Sequence, residues 1–296
     1  MVLQRASHLD LAAIMDSGQC FRMSQVEPGV FRVAAGDRWV RVSQAGEGLF
    51  AFDCGQDQFD AFWAHYFDWD GDYGGLMASI DPADGFLTRA ARYGSGLRIL
   101  RQDPWETLIS FILSTRRNIP AIRRCVEALC ARFGAEMGEG LFAFPTPQAL
   151  AGAPEAVLRD CALGYRAPYV LGTAQAVASG RVDLAALGAL EDQALRRALM
   201  ALPGVGIKVA DCVMLFGYHR LAASPVDVWI QRVIEERYGG VSPFERYGQC
   251  AGVMQQYMFF YRRALAAGRA GPEPDMELEL GQAAGEAAQR EKRRRA

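Results

Sequence analysis

Lys208 and Asp227 are the two residues whose types and placement could support covalent chemistry. The chain has 32 basic residues, and only Lys208 and Lys292 are lysine, with Lys292 in a polar C-terminal run. Arginine stays protonated, whereas a desolvated lysine amine can lose its proton and act as a nucleophile. A carboxylate beside it would stabilise positive charge on the attacked carbon and could help to move protons. Lys208 is therefore a candidate nucleophile, and Asp227 is its candidate electrostatic partner.

The spacing between these two residues allows them to meet. A helix over residues 208–219 is about 18 Å long at 1.5 Å per residue. The connection 220–226 can extend roughly 23 Å, which is enough to return along that helix. Asp227 precedes a second stretch with helical spacing, residues 228–238, so the same carboxylate is also a candidate helix cap. We therefore expect Asp227 to lie at the level of Lys208.

A glycine-containing turn comes immediately before Lys208. Residues 191–201 are predicted to form a short helix, Leu202-Pro-Gly-Val-Gly206 interrupts it, and the helical pattern resumes at residue 207. A helix-hairpin-helix over residues 191–219 leaves backbone N–H groups unpaired at a helix N-terminus, where they suit a phosphate. Two glycines alone would favour an ordinary helical corner. The phosphate interpretation therefore depends on the neighbouring lysine and carboxylate.

The pattern along the chain predicts two folded regions and a tail. The first 90 residues are mainly strand by pattern, with β-forming clusters around residues 30–53 separated by glycine turns. Helical spacing dominates from residue 92 onward. We expect an α+β fold: an antiparallel sheet domain (1–91), a mainly α-helical domain (92–270) and a flexible tail (271–296).

Composition excludes several classes of protein. Of the 296 residues, 51% are hydrophobic, but no run is long enough to span a membrane, and the first residues do not resemble a signal peptide. The seven cysteines include no C-x-x-C pair and the three histidines are scattered, so we expect no metal, no disulfide framework and no cofactor. The acidic run Asp68-Trp-Asp-Gly-Asp72 has Ser79 where a calcium loop needs glutamate, so we interpret it as a solvated turn.

The net charge of −2 conceals an uneven distribution. Residues 1–90 carry −7, residues 91–270 carry +6 and the remainder carries −1. A basic middle segment is compatible with a local phosphate-binding face.

The stretch Leu202-Pro-Gly-Val-Gly-Ile-Lys-Val-Ala-Asp-Cys212, followed by Pro225-Val-Asp-Val228, resembles the signature of the helix-hairpin-helix (HhH-GPD) DNA glycosylases. Within them it is most similar to the 8-oxoguanine DNA glycosylase/AP lyases. The similarity extends in order over residues 10–263. It includes Ser17-Gly-Gln-Cys-Phe-Arg22, Asp103-Pro104, Leu163-Gly-Tyr-Arg-Ala167 and Ala251-Gly-Val-Met-Gln-Gln256.

The resemblance implies a role for each matching residue. Lys208 would be the nucleophile that forms a Schiff base with the sugar, and Asp227 its electrostatic partner. The damaged base would be bound by Gly18, through its carbonyl, by Gln255 at the pairing edge, and by Cys212 and Phe259 on the two faces. Phosphate would be bound by the backbone amides of Gly204, Gly206 and Val209. Tyr165 would intercalate where the base leaves the duplex, and Arg166 would contact the orphaned cytosine.

Three positions depart from the family pattern. Arg116 stands where an asparagine usually fills the vacated space, Ala121 where a second arginine usually reads the orphaned cytosine, and Trp229 where a histidine commonly follows Asp-Val. The lesion pocket is thus retained while the residues that face the opposite strand are altered. We expect a weaker preference for cytosine opposite the lesion.

Two alternatives remain. One is a helix-hairpin-helix glycosylase for another damaged base, although only Cys250 follows Cys212, so the iron–sulfur loop of the pyrimidine-specific and adenine-mismatch relatives cannot form. The other is a non-catalytic DNA-binding module, which the pairing of Lys208 with Asp227 argues against. The partner is expected to be double-stranded DNA containing a damaged base. We expect no membrane association, a monomer, and a cytoplasmic location, nucleoid-associated if the source is bacterial.

Overall fold

The structure is a computed structural model, which describes residues 1–271. The tail predicted at 271–296 therefore lies outside the described residues from position 272 onward. An antiparallel sheet forms the N-terminal part, with the strand order β1-β5-β4-β3-β2. The strands are β1 (Val2–Arg5), β2 (Met23–Glu27), β3 (Val30–Ala35), β4 (Arg38–Gly46) and β5 (Leu49–Phe52), and a separate hairpin pairs β6 (Glu136–Gly138) with β7 (Leu141–Phe142).

Helices form most of the remainder. Short π-helical and 3-10 segments occur at 59–63, 159–163, 164–166 and 244–250. The helices are α1 (Leu11–Asp16), α2 (Gln56–Gln58), α3 (Ala64–Tyr66), α4 (Tyr73–Ala78), α5 (Gly85–Tyr93), α6 (Pro104–Ser114), α7 (Ile119–Phe133), α8 (Pro147–Ala151), α9 (Glu155–Leu158), α10 (Ala167–Ala178), α11 (Leu184–Leu187), α12 (Asp192–Met200), α13 (Ile207–Phe216), α14 (Val228–Tyr238) and α15 (Ala251–Ala266).

The sheet forms where side chains alternate between core and solvent. Val40 and Val42 on β4 are buried, as are Phe50 and Phe52 on β5, so one face of the sheet packs against the helices. The prediction that the first 90 residues are mainly strand is correct only as far as Phe52, because α2 to α5 follow it. The α+β fold class is confirmed: a five-stranded antiparallel sheet precedes a mainly helical part.

The helices that carry the candidate residues lie close to where the sequence places them. The stretch 228–238 is helical as predicted, and α13 ends at Phe216 rather than at residue 219. Gly217 follows it, and a Cβ there would lie 3.1 Å from the Cα of Pro104. The close approach that glycine permits brings the end of α13 against the start of α6.

The prediction of a solvated turn at residues 68–72 is wrong for Asp68. Its side chain is 8% exposed, accepts hydrogen bonds from Tyr73 and Arg101, and lies 3.5 Å from Nε2 of His219. Burial by itself raises the pKa of a carboxyl group, but these partners outweigh burial and hold the pKa of Asp68 well below its usual range. The turn therefore joins the N-terminal part to the residues that follow α13.

Among residues 1–271, no helix combines the length and the apolarity needed to cross a membrane. In the same part of the chain, no three His, Cys, Asp or Glu side chains are grouped so that they could hold a metal ion.

Candidate active site

Two glycines with different requirements shape the turn between α12 and α13. Gly204 has φ +77°, and a Cβ there would lie 2.8 Å from the Cβ of Tyr169. Both its backbone conformation and this close approach require glycine. Gly206 has no such constraint, because a Cβ there would meet no atom within 4 Å. The fold itself does not require glycine at position 206. A ligand that approaches the backbone closely there would explain why the residue is glycine.

The N-terminus of α13 is open to an anion. Gly206 is its N-cap and offers no side-chain hydrogen bond, and the first helical bond is donated by the amide of Ala210 to the carbonyl of Gly206. The amides of Ile207, Lys208 and Val209 therefore have no acceptor within the helix. These groups and the helix dipole favour a phosphate at this end.

Lys208 occupies the second position of α13 and is half-buried. Its Nζ donates to the Oγ of Ser114 at 3.3 Å and lies 5.1 Å from the centroid of the Phe111 ring. Both contacts come from the last turn of α6. The amine is thus held in a sheltered position beside the open N-terminus of α13.

Asp227 is the N-cap of α14, which confirms the predicted cap. Its Oδ1 accepts from the backbone amides of Trp229 at 2.9 Å and Ile230 at 3.0 Å. The carboxylate is thus bonded to its own helix, while the amine of Lys208 contacts α6. Trp229 itself lies half-buried in the first turn of α14, with the guanidinium of Arg232 at 5.9 Å from its ring.

Cys212 lies one turn after Lys208 on α13 and is influenced by both charged groups. Burial raises the pKa of its thiol to about 11, the charge of Lys208 opposes this shift, and the charge of Asp227 adds to it. The charge of Asp227 also acts on Arg263 of α15. Lys208 and Asp227 therefore both act electrostatically on Cys212.

The remaining base-binding candidates lie on α15 and before β2. Gly18 has φ +78°, and a Cβ there would lie 2.8 Å from the Cδ1 of Ile119 and 3.6 Å from the ring of Phe259. Phe259 is half-buried, and Gln255, one turn earlier on α15, is 2% exposed. The Oε1 of Gln255 accepts from the side chain of Gln256. Gly18 and Phe259 are thus neighbours, and Gln255 lies on the same face of the helix as Phe259.

The candidates for the opposite strand lie on two adjacent loops. Tyr165 is 49% exposed, and the guanidinium of Arg166 lies 4.3 Å from its ring centroid. Arg166 is 4% exposed and donates to the carbonyl of Thr115 in the loop between α6 and α7. Arg116 follows in that loop, exposed and with φ +52°. Tyr165, the candidate for intercalation, thus projects from the surface, while Arg166 is turned inward.

Three contacting residues are absent from the sequence-based candidates. Ser114 holds the lysine amine, Tyr169 packs against the hairpin glycine and the Tyr165 ring, and Arg117 donates to the carbonyl of Ala162. Ser114 and Arg117 lie within two residues of Arg116. The departure of Arg116 from the family pattern was the sequence feature that could have pointed to them. Tyr169 lies one helical turn after Tyr165, a spacing that places both rings on one face.

This arrangement can bind a phosphodiester and attack a carbon beside it. The open helix N-terminus would bind the phosphate, and the sheltered amine follows within two residues. The carboxylate of Asp227 is close enough to act electrostatically on the same site.

Family models match most of the chain. Residues 1–108 match the N-terminal domain of 8-oxoguanine DNA glycosylase, and residues 109–250 match the HhH-GPD superfamily of base excision DNA repair proteins. An N-glycosylase/DNA lyase of Saccharomyces cerevisiae is 33% identical over 261 residues, which cover 78% of this chain and 69% of that protein.

Solved structures give the same result. MBOgg1 in complex with a low-affinity DNA ligand is 36% identical with a TM-score of 0.84, over 89% of this chain and 96% of that chain. The 8-oxoguanine glycosylase/lyase of Clostridium acetobutylicum, bound to double-stranded DNA with cytosine opposite 8-oxoguanine, is 31% identical with a TM-score of 0.83. That match covers 90% of this chain and 99% of the clostridial chain. The resemblance predicted from the motif at 202–228 is confirmed.

Proposed function

The chain belongs to the 8-oxoguanine DNA glycosylase family of the HhH-GPD superfamily, and we propose that it excises 8-oxoguanine from duplex DNA and cleaves the strand as an AP lyase. The observation that carries this proposal is the placement of Lys208. It is the one lysine of residues 1–271, it lies half-buried beside an open helix N-terminus, and it and Asp227 both act electrostatically on Cys212. The homologous lyases and DNA-bound glycosylases support the same activity.

Lys208 performs the covalent steps in this proposal. Its neutral amine attacks the anomeric carbon of the flipped nucleotide, the bond from that carbon to the base breaks, and the base leaves with the electron pair. Loss of the proton from nitrogen and opening of the sugar ring give a Schiff base. Removal of a proton from the neighbouring sugar carbon then breaks the 3′ carbon–oxygen bond, and water releases the lysine. Asp227 stabilises the positive sugar during base departure.

The base-binding residues act as a second group. We propose that the carbonyl of Gly18 accepts from the N–H that oxidation adds to the base, with Gln255 on the pairing edge. Phe259 and Cys212 contact the two faces of the base. The adjacency of Gly18 to Phe259 supports this assignment. Because Gln255 is buried and bonded to Gln256, it exchanges that partner for the base.

The DNA-binding residues act as a third group. The amides of Gly204, Gly206 and Val209 bind phosphate, Tyr165 fills the gap in the stack, and Arg116 and Trp229 face the duplex. Arg166 contacts the orphaned base once its guanidinium releases the carbonyl of Thr115. DNA is the partner that the bound relatives support. We further propose a monomer located with the genomic DNA, in the nucleoid-bearing cytoplasm if bacterial. The proposed domains are the sheet domain 1–91 and the helical domain 92–270.

Borohydride trapping tests the function. The protein is mixed with duplex DNA containing 8-oxoguanine and reduced, with an undamaged duplex as the control. We expect a covalent adduct only with the damaged duplex, and none with Lys208→Gln, whose binding to the duplex is measured separately. Binding without an adduct in the native protein would identify a non-catalytic DNA-binding module. An adduct that forms faster with another lesion, across a panel of damaged bases, would reassign the substrate.

A further inference from the structure

A buried hydroxyl group at the end of α6 contacts the lysine amine. Ser114 is the last residue of α6 and is 9% exposed. Its Oγ lies 3.3 Å from the Nζ of Lys208, although the two residues are 94 positions apart in the chain. This is the direct hydrogen bond that links the nucleophile of the proposed function to another helix.

The direction of this hydrogen bond is determined by a second one. The hydroxyl of Ser114 donates its single proton to the carbonyl of Phe111 at 2.7 Å. A hydroxyl has one proton to donate and two lone pairs to accept. Ser114 can therefore only accept from Lys208, and Lys208 must supply the proton of their hydrogen bond.

This direction constrains the neutral amine as well as the ammonium. A neutral amine has two N–H bonds and one lone pair, which point in roughly tetrahedral directions. When one N–H donates to Ser114, the lone pair cannot point at Ser114 and is held at roughly the tetrahedral angle from that direction. The ring of Phe111, one turn earlier, closes a second side of the amine at 5.1 Å.

We propose that Ser114 is a positioning residue, which orients the reactive lone pair of Lys208 through an accepted hydrogen bond. The proposal rests on the function proposed above, in which Lys208 is the nucleophile. Ser114 itself touches neither the sugar nor the base in this role. Its contribution is geometric: it limits rotation of a long, flexible side chain whose attack requires a defined direction.

The test compares three variants in single-turnover reactions at saturating enzyme. Ser114→Ala removes the acceptor, Ser114→Thr keeps a hydroxyl, and Ser110→Ala makes the same change on α6 one turn earlier, at a residue that is also buried. The readouts are the rates of base excision and of borohydride trapping, the Kd for the lesion duplex, and the thermal midpoint.

We expect Ser114→Ala to slow both excision and trapping about tenfold, which corresponds to about 1.4 kcal/mol of barrier. Its Kd should stay within about twofold, because the phosphate and base contacts are intact. Ser114→Thr should recover most of the rate, and Ser110→Ala should react like the native protein. This pattern separates positioning from general destabilisation. If the role of Ser114 were purely structural, the reaction rates would fall with the thermal midpoint, whether or not the variant keeps a hydroxyl.

Two results would overturn the proposal. Native rates in a folded Ser114→Ala protein would show that the hydroxyl does not orient the amine, and equal losses in the Ala and Thr variants would show that packing is responsible. If the native protein forms no adduct at all, the proposed function fails and the role of Ser114 with it. A native protein that traps normally while Ser114→Ala is unaffected overturns the Ser114 proposal only.

Discussion

Gly204 lies against the side chain of Tyr169, so that a Cβ at position 204 would be 2.8 Å from the Cβ of the tyrosine and 2.9 Å from its Cγ. The ring of Tyr169 in turn meets the ring of Tyr165 edge to face, with 6.4 Å between centroids. The hairpin that would bind phosphate is therefore packed, through one tyrosine, onto the residue proposed to enter the DNA stack. We therefore expect phosphate binding by the hairpin to be coupled to the placement of Tyr165.

This contact predicts opposite outcomes for two glycine-to-alanine substitutions in one turn. Gly204→Ala should destabilise the protein by about 1–3 kcal/mol, because it combines a strained backbone with a clash. Gly206→Ala should change stability by less than about 0.5 kcal/mol, since its Cβ meets no protein atom. It should nevertheless weaken DNA binding several-fold, because the methyl group occupies the path of a phosphate. Thermal unfolding and anisotropy titrations at one salt concentration measure both effects.

The outcome for Gly206→Ala decides whether the turn binds DNA. Native affinity in a folded variant would mean that phosphate does not approach this glycine. Val205→Ala is unsuitable as a control because Val205 is buried, so Ala201→Gly, at an exposed position just before the turn, serves to check for nonspecific effects.

Asp227 is a helix cap with a second, proposed electrostatic role, and two substitutions distinguish the two roles. Asparagine is also a good N-cap, so Asp227→Asn should keep the bonds to the amides of Trp229 and Ile230 and fold normally. It removes the negative charge, and base release should slow on the order of 100-fold. Asp227→Ala should lose both roles and destabilise the protein by about 1 kcal/mol. Single-turnover excision rates and thermal midpoints are the measurements; an Asp227→Asn protein with native excision would exclude the electrostatic role.

Local chemistry made part of the site predictable from sequence. Asp227 could be assigned as a cap because it precedes a helical run, and the reach of a seven-residue connection allowed it to return toward Lys208. Those inferences need only neighbours in the chain. Ser114 could not be found in this way, because its contact with Lys208 depends on how α6 packs against α13.

Asp68 shows the same limit for the fold. An acidic run with glycine is typical of an exposed turn, and the sequence offers no local reason to bury it. Of its partners, Tyr73 directly follows the run, but Arg101 and His219 come from distant parts of the chain. The strand β1 was likewise missed, because its four residues, Val2–Arg5, are defined by pairing with β5 and not by their own pattern.

The carboxyl group of Asp68 should make stability depend on pH in the acid range. Its pKa is held below the usual value in the folded protein, so it binds a proton less readily there than in the unfolded chain, where its pKa is about 3.9. The ionised carboxylate therefore contributes its full stabilisation at about pH 5. This contribution is lost as the pH falls below the pKa of Asp68 in the unfolded chain and approaches its pKa in the folded protein. Asp68→Asn should lower the free energy of unfolding by about 3 kcal/mol at pH 7.

Urea denaturation of the native protein and two variants at several pH values checks this prediction. The difference between the native protein and Asp68→Asn should be fully present at about pH 5 and should narrow below about pH 4. Asp70→Asn, an exposed carboxylate in the same turn, is the control and should differ little from the native protein at any of these values. A difference for Asp68→Asn that stays constant down to the lowest pH would contradict the assignment.

The opposite-strand residues predict a weak preference for cytosine opposite the lesion. Arg166 is turned inward onto the carbonyl of Thr115, and position 121, where a second arginine usually stands, carries alanine. Because the guanidinium of Arg166 is bonded to Thr115 and no arginine stands at position 121, few donors remain to discriminate the orphaned base. A good bidentate contact is worth about 1–3 kcal/mol of discrimination. Excision rates with each of the four opposing bases should therefore differ by less than about tenfold.

Restoring the missing arginine tests the cause. Ala121→Arg should increase the preference for cytosine about tenfold or more, because it returns a bidentate donor to the start of α7. Ala131→Arg adds the same charge at an exposed position near the other end of α7 and should leave the preference unchanged. If the native protein already prefers cytosine strongly, another residue must supply the second contact. Arg117, which reaches from this loop to the carbonyl of Ala162, is then the side chain to replace, because its guanidinium already lies between the two loops.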